Sequence, residues 1–228
     1  MQDASHLFSS VKGNEPDKHG TDAEGRRSRP KPGERRDQIL QTLASMLEQP
    51  GGERITTAAL AARLHVSEAA LYRHFASKAQ MFEGLIEFIE QTVFSLINQI
   101  VATDPIPTLG SEFSAGAEKA KRIVTVIVHF AERNPGMARV MVGDALVFEN
   151  ERLQQRMNQF FDKIESTLKQ CLRDIASHPE SVTPTVDAQV RASVLTAFVS
   201  GRLQRYVRSG YRRVPSDQLD LALTQVLG

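Results

Sequence analysis

Residues 54–90 constrain the fold more than any other part of the chain, because two short helical patterns, a tight turn and a long apolar helix follow one another without interruption. Thr56 or Thr57 is placed to bind the free backbone N–H groups at the start of the first helix. After the turn at 65–67, Ser67 is placed to cap a second helix that ends near residue 75. The apolar spacing gives both helices an inward face, which consists of Leu60, Ala61, Leu64, Ala70, Leu71 and Phe75. The pattern predicts a helix-turn-helix.

The second helix of such a motif enters the major groove of DNA. The small side chains of Ala69 and Ala70 would let this helix lie close to the bases, and hydrogen-bond donors suited to phosphates and base edges surround them. The residues that we expect at the DNA are Thr56, Thr57, Ser67, Ala69, Tyr72, Arg73, His74 and Lys78. The alternative is an ordinary helical hairpin with solvated charges.

The remaining chain is also predicted as helices, and no segment requires a strand. Residues 1–33 carry no apolar period and are expected to be disordered. The predicted domains are this extension, a DNA-binding head over 34–80 and a helical regulatory and dimerisation domain over 81–228. Helices are predicted over 34–49, 78–101, 117–133, 135–142, 144–175, 186–209 and 215–227, with loops at 105–116 and 177–185. The fold class is all-α, with about nine helices.

The distribution of charge is more informative than the net charge of +1. Six basic residues lie within residues 26–36, against one acid, Glu34. This basic segment either follows DNA phosphates or reaches into a minor groove, or it is a solubilising tail. The single cysteine, Cys171, excludes an internal disulfide and a multi-cysteine zinc site, and we interpret it as a small buried hydrophobe.

Other functional classes find little support in the sequence. No apolar run approaches the ~20 residues of a membrane span, and the N-terminus lacks the features of a signal peptide, so a cytosolic protein is expected. There is no Gly-rich phosphate loop and no G-x-S-x-G motif. His129 and Glu132 have helical spacing for a metal pair, but a third ligand is missing. We therefore expect neither an enzyme nor a cofactor or metal.

The run at 71–75, the pair Ser77 and Lys78, and the pair Met81 and Phe82 resemble the DNA-binding domain of the TetR family. The resemblance implies that the aromatic-rich run ends the recognition helix, and that Lys78 and the backbone N–H groups of the next helix hold a phosphate. His65 stands where the family most often has Gly, which implies a small cost for a left-handed backbone.

The resemblance also implies a homodimer in which the last two helices of each subunit, within 186–227, form a four-helix bundle. Gly201 lies in the middle of the first of these helices, where a glycine permits close approach of another helix. Phe198 and Leu203 are expected in the seam between subunits. Packing within a single chain remains the alternative. Two heads would meet successive major grooves, so the DNA site should be roughly palindromic.

Further segments resemble one group of the family, the nucleoid occlusion factors: 68–75, 81–90, 132–136, 145–149, 153–154, 205–208 and 211–217. The resemblance implies a dimer that binds double-stranded chromosomal DNA and, once bound, engages the C-terminal tail of the tubulin-like division protein FtsZ and disrupts its polymers. By matching motifs, the tail-binding positions are Phe88, Arg133 and Asn134.

Two of these expectations compete with simpler ones. Phe88 lies off the main apolar stripe of its helix, yet it could be core; Arg133 and Asn134 lie at a helix end and could point outward, yet they could be a helix cap. The competing function is a ligand-responsive transcriptional repressor with a small-molecule pocket among its helices.

Overall fold

The computed structural model describes residues 33–49, 54–103, 115–173 and 184–227. The predicted disordered extension, apart from Gly33, lies outside the described residues, as do most of the two predicted loops. All regular structure in the described ranges is helical, so the predicted all-α class is confirmed. The α-helices are α1 (Glu34–Leu47), α2 (Thr57–Arg63), α3 (Glu68–Tyr72), α4 (Lys78–Ala102), α5 (Ala115–Arg133), α6 (Pro135–Met141), α7 (Glu151–Leu172), α8 (Pro184–Arg208) and α9 (Leu219–Leu227).

The head consists of α1 to α3, and side-chain caps start α2 and α3, whereas α1 follows Gly33 without such a cap. The Thr56 hydroxyl accepts the Ala59 N–H at 3.1 Å and starts α2, and the Ser67 hydroxyl accepts the Ala70 N–H at 3.3 Å and starts α3. Between them, His65 adopts a left-handed backbone with a φ of 54°, which is the strained conformation that the sequence predicts there. The helices α2 and α3 thus begin where a side chain supplies the missing hydrogen-bond partner.

The second helix of the motif is shorter than predicted, because α3 ends at Tyr72. Residues 73–75 continue as a turn in which the Phe75 N–H still bonds the Leu71 carbonyl at 3.1 Å. Phe75 therefore reaches the core although it lies beyond the helix, and it is almost fully buried.

Two other predicted helices begin later than expected. The prediction over 144–175 is interrupted: a single 3₁₀ turn occupies Asp144–Leu146, and α7 begins only where the Asn150 side chain accepts the Arg152 N–H at 3.1 Å. The last helix begins at Leu219 rather than 215, because Gln218 has a left-handed φ of 49° that a right-handed helix cannot include.

The long helix α4 connects the head to the remaining helices, which we call the bundle. By length and composition α4 could cross a membrane, so the expectation that no apolar run approaches such a span is wrong. In this fold its apolar side lies in the core, and its acids meet α7: Arg152 pairs with Glu83 at 2.6 Å and Arg156 with Glu90 at 2.6 Å. The apolar side of α4 is thus covered by the core, and acids on its polar side are paired with arginines of α7.

The bundle holds the end of α1 closely. A Cβ at Gly136 of α6 would lie 2.3 Å from the Ala44 carbonyl oxygen, so only glycine permits this approach. The Leu47 carbonyl accepts hydrogen bonds from Arg139 at 3.3 Å and from the Tyr211 hydroxyl at 3.1 Å. The head is thereby fixed to α6 and to the segment after α8.

One side of α8 carries exposed apolar residues. Val186, Val190 and Val194 recur every four residues and are each about half exposed, and Leu221 of α9 is also exposed. A Cβ at Gly201 would meet nothing within 4 Å in the single chain. The expected seam residue Leu203, however, is fully buried within the chain, and Phe198 is half-buried. The prediction for Leu203 is wrong, since it faces its own core.

Candidate nucleic-acid interface

Five of the residues expected at DNA form one exposed surface on α3 and the turn after it, which we call the reading surface: Ser67, Ala69, Tyr72, Arg73 and His74. The Tyr72 side chain remains 46% exposed although it is aromatic. Behind this surface, Leu71 and Phe75 anchor the motif in the core. The arrangement presents a small residue, a phenol, a guanidinium and an imidazole to solvent, which are groups that contact bases and phosphates.

The two threonines flank this surface from the start of α2. Thr57 donates its hydroxyl hydrogen to the Glu68 carboxylate at 2.6 Å, and so ties α2 to the first turn of α3. Thr56 is exposed and uses its oxygen as the cap, which leaves its O–H able to donate to a phosphate. Thr57 thus has a structural partner, whereas Thr56 is open to DNA.

Arg36 of α1 is a contact that the sequence prediction missed. Its guanidinium lies 4.3 Å from the centre of the Phe75 ring and donates to the His74 carbonyl at 3.4 Å. It therefore holds a permanent positive charge beside the end of the reading surface. The signal in the sequence was the basic run at 26–36, of which Arg36 is the last residue.

Lys78, like Thr57, has a protein partner, but its partner is a carboxylate distant in sequence. Its ammonium group pairs with the Glu149 carboxylate, and the two side chains are only 18% and 7% exposed. Arg54 approaches the same carboxylate at 3.7 Å and donates to the Phe148 carbonyl at 3.1 Å. Two cations of the DNA-binding half are therefore held by one acid that precedes α7.

Two of the three residues expected to bind a protein partner contact Phe130 of α5, namely Phe88 and Asn134. The Phe88 ring is half-buried and tilted against the Phe130 ring, with centres 6.5 Å apart. Phe88 is thus neither a freely exposed aromatic nor a fully buried core residue. Arg133, three residues after Phe130, is exposed at the end of α5 as expected.

Asn134 does not point outward, and that part of the expectation is wrong. It is only 7% exposed, and its side-chain amide donates to the Phe130 carbonyl at 2.7 Å. The physical reason is the helix break: α5 ends at Arg133 and Pro135 starts α6, so the Phe130 carbonyl needs a donor from outside the regular ladder. Asn134 supplies it and fixes the corner that carries Arg133.

The chain matches two family descriptions. Residues 39–85 match "Bacterial regulatory proteins, tetR family", and residues 117–226 match an SlmA-like "Tetracyclin repressor-like, C-terminal domain". A solved structure with the same fold is the TetR-family regulator PfmR from Thermus thermophilus, with a TM-score of 0.62 and 17% identity over 84% of this chain and 95% of that one.

Relatives with much higher identity cover both the head and the bundle. The chain is 50% identical over 182 residues to the nucleoid occlusion factor SlmA of Colwellia psychrerythraea, covering 80% of this chain and 87% of the relative. It is 48% identical over 183 residues to the SlmA of Idiomarina loihiensis, covering 80% and 88%. The chain therefore belongs to the TetR family of bacterial regulatory proteins, in the group of nucleoid occlusion factors named SlmA.

Proposed function

We propose that this protein is a DNA-binding homodimer that acts on the nucleoid in the cytoplasm, binds the C-terminal tail of FtsZ and inhibits Z-ring assembly over the chromosome. The observation that carries the proposal is the similarity to SlmA proteins, which extends through the head and through the bundle. The similarity in the bundle matters most, because a site for a protein partner would lie there and an ordinary repressor would lack it.

The head supports sequence-specific DNA binding. The reading surface is exposed while its helix is anchored from behind, so side chains can enter a groove without loss of core contacts. Arg36 and the open hydroxyl of Thr56 lie at its two ends and suit phosphate contacts. Lys78 can reach a phosphate once it leaves Glu149.

The exposed side of α8 supports a homodimer. Val186, Val190 and Val194 form an apolar stripe that water would otherwise cover, and burial of such residues is worth about 1.5–3 kcal/mol each when complete. The open space at Gly201 permits a second helix to approach closely. A fixed pair of heads then requires a site with two half-sites, which is why a roughly palindromic sequence is expected.

The cluster around Phe130 supports a site for a peptide tail. Phe88 offers an apolar surface that is partly open, Arg133 offers a charged group that can bind a carboxylate or carbonyl, and Asn134 holds the corner between α5 and α6 in place. These groups lie in the bundle and not on the reading surface, so DNA and a tail could be bound together.

The DNA part of the proposal is tested with the binding sites found by genome-wide mapping. In a fluorescence titration with such a site, Tyr72→Ala and Arg73→Ala should each weaken binding by about 1–3 kcal/mol, if they contact bases. Arg122→Ala is the matched control, because Arg122 is exposed on α5 and distant in sequence from the head. If both head variants bind like the wild type, the assignment of the reading surface is wrong.

The partner part is tested with a synthetic peptide of the FtsZ C-terminal tail and the protein on its DNA site. Phe88→Ala and Arg133→Ala should each abolish measurable tail binding, while Arg122→Ala should not, and DNA affinity should stay near that of the wild type. Far-ultraviolet circular dichroism checks that Phe88→Ala remains folded, because its ring also contacts Phe130. A wild-type complex that does not bind the tail at high micromolar concentration would favour a ligand-responsive repressor.

A further inference from the structure

A cavity of about 800 Å³ opens between the end of α8 and the segment that leads to α9, and its lining is strongly basic. Four arginines line it, Arg202, Arg205, Arg212 and Arg213, against a single acid, Asp217. Four positive charges less one negative charge leave an excess of three. The function proposed above uses none of these residues.

Arg202 forms the fixed part of this arginine cavity. Its guanidinium donates to the carbonyls of Pro215 at 2.8 Å and Asp217 at 2.7 Å, and lies 4.6 Å from the centre of the Phe198 ring. Burial lowers the pKa of Arg202, and the neighbouring charge of Arg205 lowers it further while Asp217 raises it. Burial is the main cause of this lowering, and Asp217 raises the pKa of Arg202 by more than Arg205 lowers it.

The other arginines lie on the open side. Arg205, Arg212 and Arg213 are exposed. The turn that carries Arg212 and Arg213 is held by Ser209, whose carbonyl accepts from Arg212 at 2.9 Å and whose hydroxyl accepts the Arg213 backbone N–H at 2.8 Å. The cavity thus has a rigid backbone and several guanidinium groups in contact with water.

The arginines of the cavity lie near the C-terminus of α8, but the helix dipole there accounts for only a small part of their positive charge. The C-terminus of a helix attracts cations, but its macrodipole corresponds to only about half an elementary charge. An excess of three positive charges is well beyond that. The cavity is therefore better matched to a ligand with several negative charges than to the helix alone.

Operator phosphates do not fit as that ligand. Arg36 contacts the turn after the recognition helix, whereas the Leu47 carbonyl binds Tyr211, the residue before Arg212. The part of α1 between these two contacts is about 16 Å long, so the segment that leads to the cavity meets α1 at the end opposite to the one that touches the DNA-reading turn. DNA held by the reading surface would not enter it.

The lining favours a peptide over a nucleotide. Guanidinium groups bind carboxylates through two parallel hydrogen bonds, and the exposed Val214 offers an apolar contact beside them. None of the lining residues is aromatic, so a base would have no ring to stack on. We propose that the arginine cavity binds an extended acidic peptide in which carboxylates flank an apolar side chain.

The test uses the full-length dimer and a fluorescein-labelled peptide of glutamates around one leucine, with binding followed by fluorescence anisotropy. Arg205→Ala combined with Arg213→Ala should lower the affinity about tenfold, which is the loss of about 1.4 kcal/mol. These two are chosen because, among the described residues, the side-chain hydrogen bonds that hold the segment come from Arg202, Ser209, Tyr211 and Arg212. Arg205→Lys combined with Arg213→Lys should lose less, because charge remains and only the paired hydrogen bonds are lost.

Arg122→Ala combined with Lys163→Ala removes the same charge from exposed positions on α5 and α7 and should leave the affinity within about twofold. Phe88→Ala should also keep the glutamate peptide bound, which separates this site from the proposed FtsZ site.

The proposal is overturned if the Arg205 and Arg213 variant binds like the wild type, or if that variant dissociates the dimer in sedimentation, since the cavity would then be an interface between copies. It is also overturned if inorganic phosphate displaces the peptide and replacing its leucine by glycine changes nothing, because the site would then select small anions.

Discussion

Lys78 and Glu149 form an ion pair between the first turn of α4 and the segment that precedes α7, although 71 residues separate them in sequence. The Glu149 side chain is almost fully buried, and Arg54 lies 3.7 Å from the same carboxylate. Lys78 is also the residue that the family resemblance assigns to a DNA phosphate. If Lys78 binds a phosphate as proposed, Glu149 and that phosphate would be alternative partners for one ammonium group, and the pair would couple the DNA contact of α4 to the bundle.

This pair should contribute to stability in a way that only a double variant reveals. Lys78→Ala leaves the buried Glu149 with Arg54 alone and should reduce the free energy of unfolding by up to about 3 kcal/mol. Adding Glu149→Gln removes the uncompensated charge and should recover much of that loss. Urea denaturation of the two single variants and the double variant measures the coupling. Additive effects would show that the pair is not energetically coupled.

The same pair predicts how Glu149 affects DNA binding. In Glu149→Gln the ammonium group of Lys78 is no longer paired with Glu149 before DNA binds, so the affinity for DNA should rise several-fold. The slope of the logarithm of affinity against the logarithm of salt concentration should also steepen by up to about one. Titrations of a mapped site over a range of salt concentrations measure both. The control is Glu151→Gln, an exposed acid at the start of α7. An unchanged salt dependence in Glu149→Gln would mean that Lys78 gains no phosphate.

The exposed stripe of α8 predicts which substitutions separate the subunits. Val190→Asp combined with Val194→Asp places charge on the uncovered side of the helix, so sedimentation should show a folded monomer that has lost tight binding to a palindromic site. Leu203→Asp should instead unfold the chain, because Leu203 is fully buried within it. A wild-type protein that stays monomeric at micromolar concentration would contradict the dimer.

The close contact of Gly136 with α1 predicts that only glycine is tolerated at this position between the head and the bundle. Gly136→Ala places a Cβ 2.3 Å from the Ala44 carbonyl, and because this atom is backbone, α6 must move away from α1. We expect a loss of about 1–3 kcal/mol in the free energy of unfolding. Gly201→Ala is the matched control in a helix: its Cβ meets nothing in the single chain, so the monomer should gain up to about 1 kcal/mol. Equal effects at the two glycines would contradict this packing.

Features that depend on neighbouring residues could be predicted from the sequence. The caps at Thr56 and Ser67 and the left-handed backbone at His65 follow from local hydrogen bonding and sterics, and the burial of Leu71 and Phe75 follows from apolar spacing. The positions of the reading surface could be predicted for the same reason.

Features that depend on distant contacts or on the direction of one side chain could not be predicted. Nothing near Lys78 indicates that Glu149 would reach it, and nothing near Leu203 shows which side of α8 faces its own chain. At Asn134 the sequence indicated a helix end, but whether the amide turns outward or back to the Phe130 carbonyl depends on how α6 leaves the corner. Tertiary packing decides each of these.

Tyr211 links the end of α1 to the segment after α8 and should make stability depend on pH. Its hydroxyl donates to the Leu47 carbonyl at 3.1 Å, and burial raises the pKa of Tyr211 to about 12, from a value near 10 in an unfolded chain. Between these two values the folded chain keeps a proton that the unfolded chain has released. The stabilisation by Tyr211 is therefore complete below about pH 10 and is lost as the pH rises towards 12.

Tyr211→Phe separates this contribution from other alkaline effects. At pH 8 the variant should lose about 1 kcal/mol in the free energy of unfolding, because the hydrogen bond to Leu47 is absent. Above about pH 10 the wild type should destabilise faster than the variant, so the difference between the two should shrink as the pH approaches 12. Burial also raises the pKa of Tyr206, which is present in both proteins and which contributes to the raised pKa of Tyr211 in the wild type. Urea denaturation from pH 8 to the alkaline limit measures the difference, with Tyr72→Phe as the exposed control. A constant difference across this range would show that Tyr211 does not titrate with folding.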